Sequence, residues 1–269
     1  MIIGQKKLLE QLNQYNIDTF PRTILLLGEK GIGKHTIANY IKDTIINLPL
    51  ADVTEIISKD FIDEIYRNPN PSIYLIDVSV MKEEKQNIML KLIEEPLNNA
   101  FIILLAEDSS LVLNTIRNRC IIFEFEPYSK DELQKFITNE IDVDLILKVL
   151  RTPGKILSTN INNLKEAYDI ADKIANKLTI ANYANTLTII DNINFKDNYS
   201  KIDLDIFLDV LVDHLFNCYY NTGDVKYLKM YLFIIRKRKI ITLDRRINKE
   251  QFFENFLTNL WLEVRKESD

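Results

Sequence analysis

Short apolar runs alternate with segments of helical spacing along the first half of the chain. Four runs have the length and composition of strands, at residues 23–27, 73–76, 100–105 and 121–125, and the first two look like buried parallel strands. Three segments place apolar residues three and four positions apart and so predict helices, at residues 6–15, 35–48 and 82–95. Strands that alternate with helices indicate a parallel sheet covered on both faces.

The second half of the chain has helical spacing, and the strand-like runs stop after Pro127. Ser129 is followed three residues later by Glu132, the pattern of a helix N-cap. Residues 152–154, Thr-Pro-Gly, break the helical pattern. We therefore predict three units: an α/β domain at 1–127, a helical lid at 128–160 and a helical C-terminal domain at 161–269.

Composition narrows the class of protein without indicating a ligand. Of the 269 residues, 46% are hydrophobic and 27% are charged, the profile of a folded globular chain. A net charge of −5 means that any DNA contact would need a local basic patch or a partner. Two cysteines and two histidines supply neither a disulfide framework nor a zinc site. Because signal-peptide and membrane-spanning patterns are missing, we expect a cytoplasmic location.

A glycine-rich loop between the first strand and the following helix carries the clearest chemistry. Residues 28–34, Gly-Glu-Lys-Gly-Ile-Gly-Lys, match the first seven positions of the P-loop pattern G-x-x-x-x-G-K-[ST]. Gly28, Gly31 and Gly33 allow backbone N–H groups to curl around phosphate oxygens, and Lys34 adds a full positive charge. A chance glycine turn is the alternative, and the strand–loop–helix frame disfavours it.

The positions that ATP hydrolysis needs are altered. His35 stands where the P-loop pattern has Ser or Thr, whose hydroxyl binds magnesium, and imidazole is a poor ligand for that ion. Thr36 comes one residue too late. Asp77 ends a strand as a Walker B aspartate does, but Val78 follows where an active site usually has Glu. Asp77 could equally be a strand-end carboxylate that caps a loop.

Several short boxes resemble those of bacterial clamp-loader subunits, which are AAA+ proteins. Ile3-Gly4-Gln5 resembles the box that opens their AAA+ domain. Residues 90–96, Leu-Lys-Leu-Ile-Glu-Glu-Pro, resemble L-K-x-L-E-E-P. Residues 115–120, Thr-Ile-Arg-Asn-Arg-Cys, resemble T-I-R-S-R-C with Asn118 in place of Ser. With the P-loop, these boxes occur in the family's order across residues 2–120.

Two further stretches resemble the delta-prime type of clamp-loader subunit. Residues 152–155 resemble its S-P-G-[KR] stretch, so that Gly154 stands where active subunits carry the sensor-2 arginine. Residues 246–257 resemble the N-x-N-x-x-x-x-x-E-x-L helix of its collar domain. The chain departs from the family in two ways. It has no cysteine between Lys34 and Asp77, where a four-cysteine zinc module usually lies, and its C-terminal part is short.

The resemblance implies an AAA+ α/β domain, a helical lid and an all-α collar-type domain. It implies the stator of a hetero-oligomeric ring that loads a sliding clamp on primed DNA, with no ATP turnover of its own. Arg119 matches the arginine finger that such a subunit offers to ATP bound by a neighbour, with a structural ion pair as the alternative. Arg117 is expected in an interface or fold salt bridge. The implied cofactor is ATP or ADP held without hydrolysis, and no zinc.

Other interpretations stay open beside this one. Glu94 and Glu95 are adjacent at a helix end and point in different directions, so interface or packing roles are favoured over paired catalysis. The basic cluster 236–239, with Arg245 and Arg246, is more typical of a solvated helix end than of a DNA site. The chain could instead be an active ATPase that uses His35 and Thr36, or a free-standing nucleotide-binding regulator.

Overall fold

The computed structural model describes residues 2–95, 97–137, 142–180, 204–243 and 249–265. The chain divides into two compact units: Met1–Phe136 with Thr152–Gly154, and Ile137–Arg151 with Lys155–Asp269. The division into domain, lid and collar stays a prediction. Within the described residues, none of the helices combines the length and the hydropathy that a membrane crossing needs.

A five-stranded parallel sheet forms the first unit, which confirms the predicted α/β class. Its strands are β1 Thr23–Leu27, β2 Leu50–Asp52, β3 Ser72–Asp77, β4 Ala100–Ala106 and β5 Ile121–Glu124. Their spatial order is β2-β3-β4-β1-β5, and every neighbouring pair is parallel. Four strands lie where the sequence predicts them. The fifth, β2, is missed because it has three residues, none of them buried.

Alternate residues of the central strands enter two separate cores. Leu25 of β1 packs on one face with Leu104 of β4, while Leu26 packs on the opposite face with Leu105. All seven residues of β4 are buried, so no position along this strand is left for a polar side chain. A strand covered on both faces therefore appears in sequence as a continuous apolar run rather than an alternating one.

Short helices cover the sheet of the first unit. They are α1 Lys6–Leu12, α2 Lys34–Tyr40, α3 Lys59–Arg67, α4 Glu83–Ile88, α5 Leu90–Glu94, α6 Asn114–Arg117 and α7 Lys130–Gln134. A π-helical turn, Ile41–Ile46, continues α2. The single helix predicted at 82–95 is wrong in one respect, because the buried residue Met89 separates α4 from α5. Ser129 and Glu132 form the predicted cap of α7 as a full capping box.

The described residues of the second unit are helical, as predicted. Its helices are α8 Val143–Val149, α10 Ile161–Ile180, α11 Leu204–Thr222, α12 Val225–Leu243 and α13 Lys249–Arg265, and α9 Pro153–Ser158 begins in the first unit. Pro153 begins α9 rather than only ending the preceding helix, since proline fits the first helical position. Lys155 pairs with Asp209 at 2.6 Å, and both side chains are largely buried.

The N-terminal box clamps the first helix to the end of β5. Gln5 is buried, and its Nε2 donates to the carbonyl of Glu126 at 2.7 Å while its Oε1 accepts from the Glu126 amide at 3.0 Å. Gly4 has φ +72°, and a Cβ there would lie 2.7 Å from the ring of Tyr128. The positive φ and the nearby Tyr128 ring therefore explain the glycine at position 4. The two hydrogen bonds to Glu126 explain the glutamine at position 5.

Replacing Gln5→Ala should lower the free energy of unfolding by about 1–3 kcal/mol, because both backbone groups of Glu126 lose their partner. Urea unfolding followed by circular dichroism would measure this. The exposed Gln11→Ala is the control and should stay within about 0.5 kcal/mol of the parent. Equal free energies of unfolding for the two variants would show that water replaces the two Gln5 hydrogen bonds without loss of stability.

Candidate functional site

The P-loop runs from the carboxyl end of β1 to the start of α2, as the sequence predicts. Gly31 has φ +81° and Gly33 has φ +109°, backbone conformations that glycine adopts without strain. Gly28 follows β1, and its amide donates to the carbonyl of Ala106 at 3.0 Å. The loop thus begins tied to the neighbouring strand β4 and ends in the first turn of a helix.

Five successive carbonyls of the loop accept hydrogen bonds. Lys34 Nζ donates to the carbonyls of Gly28 and Glu29, Thr152 Oγ1 to Lys30, the Gly154 amide to Gly31, and Tyr128 Oη to Ile32. The distances lie between 2.5 and 3.3 Å. These bonds hold the carbonyl groups on one side of the loop. The N–H groups then lie on the opposite side, where they are available to a ligand.

The amides of Gly31, Gly33, His35 and Thr36 have no hydrogen-bond acceptor among the described residues. Unpaired amides at a glycine turn and a helix start are the donors that bind phosphate groups in P-loops. The loop therefore keeps the arrangement of an anion cradle. Occupation of that cradle by a nucleotide stays a prediction.

Lys34 is buried, and this burial lowers the pKa of its ammonium group. Three carboxylates oppose that effect, in the order Glu107, Asp77 and Glu29. Glu107 is a residue that the sequence reasoning missed. It directly follows β4, and parallel strands bring their carboxyl ends to one edge of the sheet, so the strand prediction could have placed it at the edge that carries the loop, though not next to Lys34.

The positions expected to be defective for hydrolysis lie beside this cradle. His35 and Thr36 are exposed on α2. Asp77 Oδ1 accepts from the Ser79 amide at 2.9 Å, which is the loop-capping contact considered for it, and Val78 is fully buried. A Walker B role for Asp77 stays a prediction. No group of three or more His, Cys, Asp or Glu residues suited to a metal was found in the described parts of the chain.

Residues 152–154 form a strap against the P-loop within the first unit. Thr152 is buried, with its hydroxyl on the Lys30 carbonyl. A Cβ added at Gly154 would lie 2.6 Å from Gly31 Cα and 2.9 Å from its carbonyl oxygen. The position that matches the sensor-2 arginine therefore has no room for a side chain while the strap keeps this contact.

Arg119 lies in the turn between α6 and β5, and its side chain is 41% exposed. Its Nη2 is 2.9 Å from Oε1 of Glu94, and its Nη1 donates to the Thr115 carbonyl at 2.9 Å. The isolated chain thus contains the ion pair that was weighed as the alternative to a finger. Since the guanidinium is accessible, the pair does not exclude a role toward a neighbour.

The residues around Arg119 have structural contacts. Arg117 donates to Asn114 Oδ1, and its buried Nε has no hydrogen-bond partner among the described residues. Burial raises the pKa of Cys120 to about 12, so this thiol is a packing group rather than a nucleophile. Of the basic cluster, Arg236 and Lys237 are exposed, and the remaining side chains fall outside the described residues. The same holds for residues 246–248 of the collar-like stretch.

Gly154→Ala should lower the free energy of unfolding by about 1–3 kcal/mol, because the new methyl group displaces the strap from Gly31. Urea unfolding would measure the loss, and hydrogen exchange of the Gly154 amide would report the broken bond to Gly31. The exposed Ser158→Ala in α9 is the control and should change little. Retained protection of the Gly154 amide would contradict this account.

Comparisons with known proteins find similarity to subunits of DNA polymerase III. Residues 51–129 match the family described as DNA polymerase III, delta subunit. The chain is 31% identical over 170 residues to DNA polymerase III subunit gamma of Buchnera aphidicola subsp. Schizaphis graminum (strain Sg), covering 51% of this chain and 47% of that protein. The same subunit of Buchnera aphidicola subsp. Acyrthosiphon pisum (strain APS) is 27% identical over 182 residues, with 53% and 50% covered.

The solved structures show the fold. The Thermotoga maritima RuvB Holliday junction branch migration motor superposes with a TM-score of 0.51 at 17% identity, covering 81% of this chain and 78% of that one. At this identity the likeness shows a shared fold and nothing about activity. The chain spans about half the length of the curated relatives it matches. It is therefore similar in fold to the RuvB motor, similar over residues 51–129 to the DNA polymerase III delta family, and similar over about half of its length to the gamma subunits.

Proposed function

We propose that this chain is a delta-prime-type stator subunit of a DNA polymerase III clamp loader, which supplies Arg119 to the ATP site of a neighbouring subunit. The observation that carries the proposal is the position of Arg119 in the sheet. β5 runs parallel to β1, with Ile121 opposite Ile24 and Glu124 opposite Leu27. Arg119 precedes the amino end of β5, whereas the P-loop follows the carboxyl end of β1.

These two groups therefore lie at opposite edges of the sheet. Four paired residues alone separate the edges by roughly 13 Å at about 3.3 Å per residue. Arg119 cannot reach a phosphate in its own P-loop, but its exposed guanidinium can face a phosphate bound by another chain. A guanidinium at the γ-phosphate offsets the negative charge that grows in the transition state.

The chain's own P-loop fits a nucleotide held without turnover. The amides of Gly31 and Gly33 and the Lys34 ammonium would hold the phosphates of ATP or ADP. His35 offers no hydroxyl for magnesium, and Val78 offers no carboxylate to orient a water. Such a site would stiffen the subunit without cycling, which suits a stator. Zinc has no part in the proposal.

The proposed partners follow from the same role. The other clamp-loader subunits would form a hetero-oligomeric ring with this chain, with α11–α13 as its collar contribution. The sliding clamp and primed DNA would be contacted through the assembly, in keeping with the net charge of −5. A cytoplasmic location belongs to this proposal.

An active ATPase is the second candidate, because Glu107 stands near Lys34. A carboxylate at the edge of the sheet could orient water in place of the residue missing at position 78. Two features weigh against this candidate. His35 still leaves the magnesium without its hydroxyl ligand, and the strap at Gly154 leaves no space for a sensor arginine.

The isolated chain should show no magnesium-dependent ATP hydrolysis above background, because the metal hydroxyl and the water-orienting acid are absent. Phosphate release at saturating ATP would measure this, with Lys34→Ala as the control for contaminating activity. Turnover that disappears in both Lys34→Ala and Glu107→Gln would favour the active-ATPase candidate over the stator.

In the assembled complex, Arg119→Ala should lower DNA-stimulated ATPase while the variant chain folds and assembles normally. Loss of a trans arginine costs on the order of 10³-fold or more at a dedicated GTPase site. Only one of several sites is affected here, so the complex should lose part of its rate. Arg117→Ala is the matched control in the same box and should alter stability first, since its Nε is buried. Complexes with Arg119→Ala that load clamps and hydrolyse ATP at the full rate would overturn the proposal.

A further inference from the structure

We propose that Glu94 is the positioning residue for Arg119: it holds the guanidinium in the orientation that the neighbour's phosphate meets. This inference rests on the proposed function. Glu94 is the last residue of α5, and its Oε1 lies 2.9 Å from Nη2 of Arg119. The contact joins the two boxes at 90–96 and 115–120, which are separate in sequence.

Two acceptors from two different elements fix the guanidinium. Glu94 holds one terminal nitrogen from α5, and the Thr115 carbonyl of α6 holds the other at 2.9 Å. Arginine carries five N–H donors in a rigid fork, so two such bonds leave three donors for a ligand. A free arginine would have to lose its rotamer freedom on meeting a phosphate, whereas this one has lost much of it beforehand.

The end of α5 is itself held in place by α3. Tyr66 Oη donates to the carbonyls of Lys91 and Glu95, each at 3.1 Å, and so ties down the last turn of the helix. Burial raises the pKa of the Tyr66 hydroxyl, which is a donor at neutral pH. Lys91 also pairs with Asp63 at 3.5 Å. Glu94 is thus presented from a braced helix end and not from a loop.

Glu95 provides a matched control. It is the next residue, it is exposed, and it carries the same charge, but its side chain forms no ion pair with a described residue. A general effect of negative charge at this helix end would be the same for both glutamates. An effect that depends on holding Arg119 would be confined to Glu94.

The test is a reconstituted complex assayed for DNA-stimulated ATPase with Glu94→Gln, Glu95→Gln, Arg119→Ala and the Glu94→Gln/Arg119→Ala double variant. Glu94→Gln should slow the Arg119-dependent part of kcat by about 1.5-fold to fivefold, the range expected from loss of an exposed ion pair. The KM for ATP and the amount of assembled complex should not change. Glu95→Gln should match the parent. Glu94→Asp, which keeps the charge, should recover part of the rate.

The double variant separates positioning from a structural role. If Glu94 acts through Arg119, then Glu94→Gln adds no further loss in the Arg119→Ala background. An additive loss, a normal rate for Glu94→Gln, or a rate above the parent would each overturn the inference while Arg119→Ala stays slow. A full rate for Arg119→Ala would overturn the proposed function, and the role of Glu94 with it.

Discussion

The P-loop is held from its carbonyl side, and the rest of the site depends on this constraint. A backbone turn of six residues between a buried strand and a helix would have to leave its carbonyls to water or find donors for them. Here the donors come from Lys34, Tyr128 and the strap residues Thr152 and Gly154. Because each carbonyl has a partner, the amides keep their orientation without a bound anion.

The same close contact with the P-loop explains why position 154 is a glycine. Gly154 stands at the position that the sequence resemblance matches to the sensor-2 arginine, and its amide donates to the Gly31 carbonyl at 2.8 Å. The approach of two backbones to this distance requires a residue without Cβ. A glycine at position 154 and the closed strap therefore go together, because any side chain there would push the strap away from the loop.

The sequence predicted the central strands well because they are buried on both faces. β1, β3 and β4 contain continuous apolar runs of four to seven residues, a pattern with few alternative structures. The strand β2 has no such run, since it is an outermost strand of the sheet and exposes Ala51 and Asp52. The division between α4 and α5 at Met89 was also invisible, because a buried methionine fits a continuous helix equally well.

Site residues that are set by motif spacing along the chain could be predicted. Those that depend on how the elements pack and where their side chains point could not. Strand ends and motif spacing sufficed to locate Lys34 and Asp77. The placement of Glu107 needed the strand order, in which β4 lies between β3 and β1. The pairing of Glu94 with Arg119, which follows it by 25 residues in the chain, needed the packing of α5 near α6. Such pairs are set by tertiary structure, and no local pattern records them.

Because β1 and β5 are parallel, the P-loop and Arg119 lie at opposite ends of the paired strands, and Arg119 cannot reach a phosphate in the P-loop of its own chain. The P-loop extends one end of β1, and Arg119 precedes the opposite end of β5. A chain built in this way can lose hydrolysis at its own P-loop without losing what Arg119 offers to a neighbour, because the groups that serve each task lie at different edges of the sheet. The altered residues His35, Val78 and Gly154 all belong to the P-loop edge. At the other ends of the strands, Arg119 is exposed and paired with Glu94, which is the arrangement that the proposed role in trans needs.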